Sequence, residues 1–245
     1  MRYLLAAIAF LTRFPVPGAA SIDAADVARS AGWFPLVGVL LGGTYAGAAA
    51  LLRTHFPMGV VAVIVVLLDV VFTGALHFDG LADTADGFGG GKNREDVLRI
   101  MRDHAIGSYG GAALVLAMTL KIAAIAALLG QSHWASALIL TPALGRWSIL
   151  LLTASLPYAR STESLITGIG KRPLLWGTGL IAISLIAATS LRAWIALGAV
   201  PLVSAGFGWY CRRRIAGITG DTLGANLELC ESIALLAFIW APQAN

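Results

Sequence analysis

Long apolar runs dominate this chain and constrain its fold more than any other feature. A helix that crosses a bilayer needs about 20 mostly apolar residues. The sequence supplies six such runs and a shorter seventh that contains two glutamates. Only 12% of the 245 residues are charged and the mean hydropathy is +0.81, whereas soluble domains carry roughly 25% charged residues. The pattern predicts an all-α, polytopic membrane protein with about seven transmembrane helices.

The predicted spans occupy most of the chain, so residues 1–245 are treated as a single integral-membrane domain. Residues 1–11 are apolar but too short to cross a bilayer, and Pro15 and Pro17 stop a helix there. This segment is expected to form a short interfacial or re-entrant helix, and the chain is expected to have six to eight spans. The predicted spans lie at about 31–52, 57–77, 108–130, 134–156, 174–190, 193–211 and 223–241.

Basic residues in the short loops predict the orientation, because cytoplasmic loops carry an excess of Lys and Arg. With seven spans, thirteen basic residues fall on one side, which is predicted to be cytoplasmic, and only Arg53 and Arg192 fall on the other. The basic residues form no extended patch, which argues against a nucleic-acid partner. The thirteen are Arg2, Arg13, Arg29, Lys92, Arg94, Arg99, Arg102, Arg160, Lys171, Arg172, Arg212, Arg213 and Arg214.

Three aspartates at the end of the second predicted span share one helical stripe. Asp79, Asp83 and Asp86 stand at i, i+4 and i+7, within a stripe roughly 60° wide. Like charges this close repel each other, and their neighbours are mostly apolar or glycine rather than solvated side chains. Mg²⁺ prefers carboxylate and phosphate oxygens, so the stripe predicts a magnesium site. His77 lies two residues before Asp79 and could orient a ligand or carry a proton.

Residues 87–92 are rich in glycine and are expected to be flexible. Their glycines form either a phosphate-binding loop or a plain linker. Residues 93–101 predict a short amphipathic helix that begins with Asn93 as its cap. After that helix, Arg102 could bind phosphate and Asp103 could bind metal, or the two could simply form an ion pair.

A second group of carboxylates lies in the last predicted span. Asp221 and Glu228 are seven residues apart and lie on nearly one helical face, with Glu231 about 60° further round. Thr219 or Asp221 is expected to cap this helix. Glutamates inside a span are costly unless they face a polar cavity. The alternative is a short interfacial helix whose glutamates are solvated.

Arg146 lies near the middle of the fourth predicted span. Its side chain would have to stretch far to reach water at either surface. We expect it to face inward, toward a substrate phosphate or the carboxylates. Lys121 also falls within a span, and its role is left open.

Taken together, these blocks of residues resemble cobalamin synthase, the adenosylcobinamide-GDP ribazoletransferase family. The resemblance runs in order from about residue 8 to 231, and the first and last blocks together are highly specific. The matching blocks are Thr12-Arg13-Phe14-Pro15-Val16-Pro17, His77-x-Asp79-Gly-Leu-Ala-Asp83-x-x-Asp86-Gly, Met101-Arg102-Asp103 with Gly107 and Gly110, and Thr219-Gly-Asp221-x-Leu-Gly-Ala225 with Glu228 and Glu231.

The resemblance implies a Mg²⁺-dependent enzyme of the bacterial inner membrane whose active site faces the cytoplasm. Such an enzyme joins adenosylcobinamide-GDP to α-ribazole, or to α-ribazole 5′-phosphate, and releases GMP. The ribose 3′-hydroxyl attacks the phosphate on the aminopropanol arm of cobinamide. The partners would be these substrates and the lipid bilayer, and the chain could form a homo-oligomer.

Phosphoryl transfer needs mainly positioning and charge neutralisation, which the carboxylates and arginines could supply. The predicted metal ligands are Asp79, Asp83, Asp86, Asp221 and Glu228. The predicted catalytic residues are His77, Arg102, Asp103, Arg146 and Glu231. The predicted substrate-binding residues are Arg13, Lys92, Thr219 and Asn226.

Two alternative functions are kept. A CDP-alcohol phosphotransferase also uses spaced aspartates in membrane helices, but Ala82 is followed here by Asp83 where that family has arginine. A cation-coupled secondary transporter would place charges on broken helices near the membrane midplane, in paired repeats. No second half of this sequence matches the first.

Overall fold

Eleven α-helices make up the described part of this computed structural model, which covers residues 2–160, 169, 171–188 and 191–240. No strand occurs among these residues, and one isolated β-bridge joins Tyr158 to Ile218. The predicted all-α class is confirmed. In chain order the helices are α1 (Arg2–Leu11), α2 (Ala24–Ser30), α3 (Phe34–Leu52), α4 (Met58–Thr73), α5 (Leu76–Gly90), α6 (Arg94–Ile100), α7 (Ser108–Leu128), α8 (Trp134–Ser155), α9 (Lys171–Ala188), α10 (Leu191–Ile215) and α11 (Gly220–Ile239).

Five helical segments of the described residues are long and apolar enough to cross a membrane, and the bent pair of α4 and α5 would make a sixth. The predicted span at 174–190 overlaps α9 up to Ala188, and its last two residues lie outside the described part of the chain; α9 is not among the five. The polytopic membrane architecture is therefore confirmed, and a count of six lies at the lower end of the predicted range. The five segments are Ala24–Leu52, Ser108–Leu128, Trp134–Ser155, Leu191–Ile215 and Gly220–Ile239.

The second predicted span, at 57–77, stops short because the chain breaks at Gly74 and Ala75. Both residues have left-handed backbone angles, with φ of 65° and 58°, and this conformation ends α4 at Thr73. The next helix, α5, leaves α4 at an angle of 89°. The aspartate stripe therefore lies on a separate helix that runs across the bundle, outside the five spans.

The centre of the bundle is formed by α8 and α11, whose side chains are mostly buried. α3 packs closely on α8 because Gly38 and Gly42 face it. A Cβ on either glycine would collide with the backbone of α8 near Pro142 or Leu138, so these glycines permit the close helix contact that is common inside membranes. α11 also packs against α5, α7 and α10, and it thereby connects the centre of the bundle to the aspartate-bearing helix.

Contacts of four arginines mark two ends of the bundle. At one end the guanidinium of Arg53 lies 4.7 Å from the ring centre of Trp134, near Arg192. At the other end Arg94 donates hydrogen bonds to carbonyl groups beyond α8 and at the end of α10, while Arg214 donates to carbonyl groups at the end of α5. We call this second end, which carries α5 and α6, the α5 end.

Candidate active site

The aspartate-bearing helix α5 crosses the N-terminal part of α11 at two glycines. A Cβ on Gly80 would lie 2.7 Å from the carbonyl oxygen of Asp221, and one on Gly224 would lie 3.2 Å from the Cα of His77. Such distances leave no room for a larger residue at Gly80, so the two backbones meet there. The crossing brings carboxylates that are far apart in the sequence to the same end of the bundle.

The outward face of α5 presents Asp79, which is exposed, and Asp83, which is half-buried. Partial burial and the nearby carboxylates of Asp79, Asp221 and Asp86 raise the pKa of Asp83 to about 6. Carboxylates held close together raise one another's pKa in addition to the effect of burial. The outward face of α5 thus carries a local group of carboxylates of the kind that a divalent cation neutralises.

Asp221, in the first turn of α11, pairs with Arg160. The Asp221 Oδ2 accepts a hydrogen bond of 2.8 Å from Nη2 of Arg160. A reciprocal capping box between Thr219 and Thr222 begins the helix, so Thr219 is the cap of the two residues that the sequence offered for this role. Arg160 is positioned by the short β-bridge that pairs the segment after α8 with the segment before α11. This arrangement fixes one cation beside the carboxylates of α5 and α11.

Asp86 is buried and points at the beginning of α7. Its two carboxylate oxygens accept hydrogen bonds from the backbone N–H groups of Gly107, at 2.7 Å, and Gly110, at 2.8 Å. A carboxylate at a helix N-terminus satisfies unpaired N–H groups and interacts favourably with the helix dipole. The structure therefore gives Asp86 a capping role that its sequence position did not reveal.

A second group of charges is buried beside α5. Nζ of Lys121 lies 3.1 Å from Asp69 Oδ2, 2.8 Å from Glu228 Oε2 and 2.7 Å from Glu231 Oε2. Within the described residues, these are the only three metal-ligating side chains whose ligand atoms all lie within 4.8 Å of one another. The ammonium of Lys121 already contacts all three carboxylates, so this group is an ion-pair network. The ring of Phe78 on α5 lies against it, 4.8 Å from Nζ.

Arg146 contributes a second cation to this network. Its side chain is fully buried, forms an ion pair with Glu231, and has Nη2 4.0 Å from Asp69 Oδ1. The hydroxyl of Tyr45 donates a hydrogen bond of 2.8 Å to the same Asp69 oxygen. Arg146 thus faces inward toward carboxylates, as expected from the sequence. The structure places Glu228 and Glu231 in this network and Asp221 beside the stripe on α5.

Four further predicted residues are exposed. Lys92, Arg102 and Asp103 lie in or beside the turns that flank α6, at the α5 end. Asp103 accepts a hydrogen bond from the backbone N–H of Ala105 and forms no ion pair with Arg102. Arg13 lies beside the break between α4 and α5, where its backbone N–H donates to a carbonyl group at the end of α4. All four side chains are open to a ligand.

The other predicted residues, His77, Thr219 and Asn226, are buried. Asn226 Nδ2 donates hydrogen bonds to the carbonyl oxygen of Ser148, at 3.3 Å, and to the hydroxyl of Ser204, at 3.1 Å. These bonds link α11 to α8 and α10, so the amide of Asn226 stabilises the packing of these three helices. His77 is enclosed at the crossing of α5 and α11.

The glycine-rich stretch after the aspartates is helical, and the prediction of a flexible segment is wrong there. α5 continues to Gly90 before the chain turns at Gly91. A Cβ on Gly87 would collide with Met101, and one on Gly91 would collide with Val97. Glycine costs a helix about 1 kcal/mol per residue, but here it allows α6 to pack directly on α5. The predicted cap of α6 by Asn93 is confirmed.

The sequence matches a known protein family over nearly its whole length. A sequence model of a family described as cobalamin-5-phosphate synthase matches residues 3–239, from α1 to the last residue of α11. The chain belongs to the cobalamin-5-phosphate synthase family. No solved structure gives a significant match to it.

Relatives of this chain align with it over almost its whole length. A protein of Syntrophobacter fumaroxidans is 38% identical over 94% of this chain and 95% of its own length. A protein of Rhizobium etli is 40% identical over 96% of this chain and 95% of its own length. A protein of Klebsiella pneumoniae is 36% identical over 98% of this chain and 100% of its own length. Each is named adenosylcobinamide-GDP ribazoletransferase.

Three residues of this cobalamin-5-phosphate synthase family member were not assigned to a site from the sequence. Asp69 is a lone charge in an apolar run, and such a charge signals an inward-facing polar group. Lys121 gives the same signal. Arg160 is one of the basic loop residues that set the topology, and no local pattern pairs it with Asp221, 61 residues away.

Proposed function

We propose that this protein is a Mg²⁺-dependent adenosylcobinamide-GDP ribazoletransferase that acts at the cytoplasmic face of the bacterial inner membrane. The ribose 3′-hydroxyl of α-ribazole, or of its 5′-phosphate, attacks the phosphorus bound to the aminopropanol arm. A new P–O bond forms, the bond between this phosphorus and the bridging oxygen breaks, and GMP leaves. A general base accepts the proton of the 3′-hydroxyl. The family membership and the names of the relatives support this reaction.

The observation that carries the proposal is the crossing of α5 and α11, which brings the carboxylates of residues 79–86 close to Asp221. Of these, Asp79 is exposed, Asp83 has a raised pKa, and Asp221 forms an ion pair with Arg160. The excess of carboxylate oxygens fits Mg²⁺, which is commonly bound by one or two carboxylates together with substrate phosphates. Asp79, Asp83 and Asp221 would hold it. When bound, Mg²⁺ would neutralise charge on the diphosphate and on departing GMP.

The cations at the α5 end would bind the remaining phosphate charge. Arg160 is held beside the carboxylates by the hydrogen bond from its Nη2 to Asp221, and its buried Nε has no hydrogen-bond partner among the described residues. Lys92 and Arg102 are exposed nearby on the turns around α6. Arginine and lysine are common phosphate-binding residues. These side chains would orient the diphosphate against the aspartates, which is most of what phosphoryl transfer asks of a protein.

The buried network fits a supporting role in this function. Lys121, Arg146 and their carboxylate partners join α4, α7, α8 and α11 beside α5. Phe78, in the first turn of α5, contacts Lys121 and so packs this helix against the network. A rigid network beneath α5 keeps the carboxylates in position for the substrate, and positioning contributes strongly to catalysis.

The cytoplasmic orientation is proposed from the excess of positive residues. The α5 end carries Arg94, Arg160 and Arg214, which belong to the larger of the two groups of basic residues. Positive loop residues favour the cytoplasmic side, so the carboxylates would face the compartment that contains nucleotides.

The test is GMP release from adenosylcobinamide-GDP by purified protein in detergent, with α-ribazole present. We expect release with Mg²⁺, none after chelation, and recovery when Mg²⁺ is restored. Asp83→Asn should lower kcat by about 100-fold or more, as expected when transition-state charge loses its stabilisation. Glu95→Gln, a change of an exposed carboxylate on α6, should keep wild-type activity. Absence of GMP from the Mg²⁺-loaded wild type would rule out the proposed reaction.

A further inference from the structure

A cavity of about 360 Å³ lies beside the first helix, apart from the crossing of α5 and α11. One wall is formed by α1, the turn that follows it, and α2. The opposite wall is formed by the end of α4 and the beginning of α5. The lining is mostly apolar and includes Phe10, Ile22, Val27 and Leu76. Cavities of about 300 Å³ and more hold small organic ligands.

Arg13 is the only charged residue among the described residues of this lining. Its backbone N–H donates a hydrogen bond of 2.7 Å to the carbonyl oxygen of Phe72. Its side chain lies across Gly74, where any Cβ would collide with it. The guanidinium is exposed and forms no hydrogen bond or ion pair with any described residue. The backbone therefore fixes where Arg13 emerges, and its charge remains available for a ligand.

The hydroxyl groups in the lining are already in use. Thr12 Oγ1 donates a hydrogen bond of 2.7 Å to the carbonyl oxygen of Ile8, and Thr73 Oγ1 donates one of 2.7 Å to the carbonyl oxygen of Asp69. Among the residues that the structure describes, the cavity thus offers an apolar interior and one cation, Arg13, that has no ionic partner there. A ligand with a flat apolar part and an anionic part suits this combination.

The cavity lies where the carboxylate stripe begins. Leu76 is in its lining and stands three residues before Asp79 and seven before Asp83, a spacing that places all three on one face of α5. At about 1.5 Å per residue, Asp79 lies only about 4.5 Å further along the helix axis. A ligand in the cavity would therefore extend directly toward the proposed site of phosphoryl transfer.

We propose that this cavity binds the acceptor nucleoside, with the benzimidazole of α-ribazole against the apolar lining and the 5′-phosphate, when present, on Arg13. This inference rests on the proposed function and names one subsite of it. The corrinoid substrate is several times larger than a nucleoside and does not fit a cavity of this size. The flat, apolar benzimidazole does. Arginine binds phosphate in a bidentate, charge-assisted geometry.

The first test fills the cavity. Ala19 lines it from an exposed turn, so Ala19→Trp should fold while it obstructs the space. We expect the KM for α-ribazole to rise about tenfold more than the KM for adenosylcobinamide-GDP. The matched control is Ala50→Trp, at an exposed alanine of α3 outside the cavity, which should change neither KM. Thermal unfolding in detergent checks that both variants are folded.

The second test separates the phosphate from the base. Arg13→Ala should raise the ratio of the KM for α-ribazole 5′-phosphate to the KM for α-ribazole by about tenfold. Arg13→Lys, which keeps the charge but loses the bidentate geometry, should give a smaller increase. An unchanged ratio in Arg13→Ala would remove Arg13 from the proposed subsite.

The outcomes distinguish this inference from the proposed function. If the wild type forms GMP but Ala19→Trp changes both KM values equally or not at all, the cavity proposal is overturned and the function stands. If Ala19→Trp instead reduces co-purified phospholipid without affecting the KM for α-ribazole, the cavity holds lipid and the proposal is likewise overturned. If the wild type forms no GMP, the function fails. Calorimetric binding of α-ribazole to wild type and Ala19→Trp then tests the cavity by itself.

Discussion

Nζ of Lys121 lies 2.7 Å from a carboxylate oxygen of Glu231, and both side chains are buried inside the helix bundle. The two residues lie on α7 and α11, and the same ammonium also reaches Asp69 on α4 and Glu228 on α11. A single lysine thereby connects three helices that the sequence separates widely. Charges buried so deeply remain in place only when each has a partner.

The first prediction concerns this lysine. Lys121→Met should lower the free energy of unfolding by about 3–5 kcal/mol, because Arg146 is then the one cation among the described residues that neutralises three buried carboxylates. The measurement is equilibrium unfolding in mixed micelles, with Lys92→Met as the control, since Lys92 is an exposed lysine at the α5 end.

A second substitution separates the effect of the Lys121 charge on the free energy of unfolding from the effect of its packing. Combining Lys121→Met with Glu228→Gln should recover part of the lost stability, because one uncompensated charge is removed. A double variant that is less stable by the sum of two independent losses would contradict the ion-pair interpretation.

The second prediction compares two adjacent glycines at the beginning of α7. A Cβ on Gly110 would collide with the Asp86 carboxylate and with the carbonyl oxygen of Ala82, whereas one on Gly111 would have its nearest neighbour, Ile106, at 4.0 Å. Gly110→Ala should therefore lower the free energy of unfolding by about 1–3 kcal/mol. Gly111→Ala should raise it by about 0.5–1 kcal/mol, because alanine favours a helix more than glycine does. Thermal unfolding of the pair in detergent checks this, and equal effects would show that Asp86 does not occupy the described position.

The third prediction is a pH dependence that originates from Asp83. Its pKa is raised to about 6 in the folded protein, against about 3.9 in an unfolded chain. The folded state therefore binds the proton more tightly, so the stability from this group is present below about pH 3.9 and is lost as the pH rises through about 6. In metal-free buffer at pH 7.5, Asp83→Asn should unfold at a higher temperature than the wild type, and the difference should vanish toward pH 4.

Magnesium should reverse that ranking. Binding to the folded state stabilises it by mass action, so added Mg²⁺ should raise the unfolding temperature of the wild type more than that of Asp83→Asn. Equal shifts in the two proteins would argue that Asp83 does not contact the ion. An exposed carboxylate variant, Glu95→Gln, serves as the reference.

The fourth prediction tests the break between α4 and α5. Gly74 has φ of 65° and lies under the side chain of Arg13. Gly74→Ala combines a disfavoured backbone conformation with a steric collision, and the strain alone costs about 1–3 kcal/mol. We expect a lower unfolding temperature and a raised KM for the acceptor nucleoside, since the break forms one wall of the cavity. Gly43→Ala, at a glycine of α3 with open space around it, should have neither effect.

The sequence by itself determined the membrane class, the helical fold, several helix boundaries and the family. These properties follow from local patterns: apolar runs of bilayer length, cap residues such as Asn93 and Thr219, and the order of short motifs. Each pattern involves residues that are neighbours in the chain, so their spacing carries the information directly.

The tertiary structure decided how the carboxylates divide. Helical periodicity places Asp79, Asp83 and Asp86 on one stripe, but it cannot show that Asp86 caps α7. Likewise it places Asp221 and Glu228 on one face, although the first pairs with Arg160 and the second with Lys121.

The physical reason is the distance along the chain between partners. Lys121 and Glu228 are 107 residues apart, and Arg146 and Glu231 are 85 apart, so no local pattern relates them. The break at Gly74 and Ala75 could not be predicted from the sequence for a related reason. An apolar run has the same composition whether its helix is straight or bent by 89°. Packing against distant helices decides which of these charges meet, and only the folded chain contains that information.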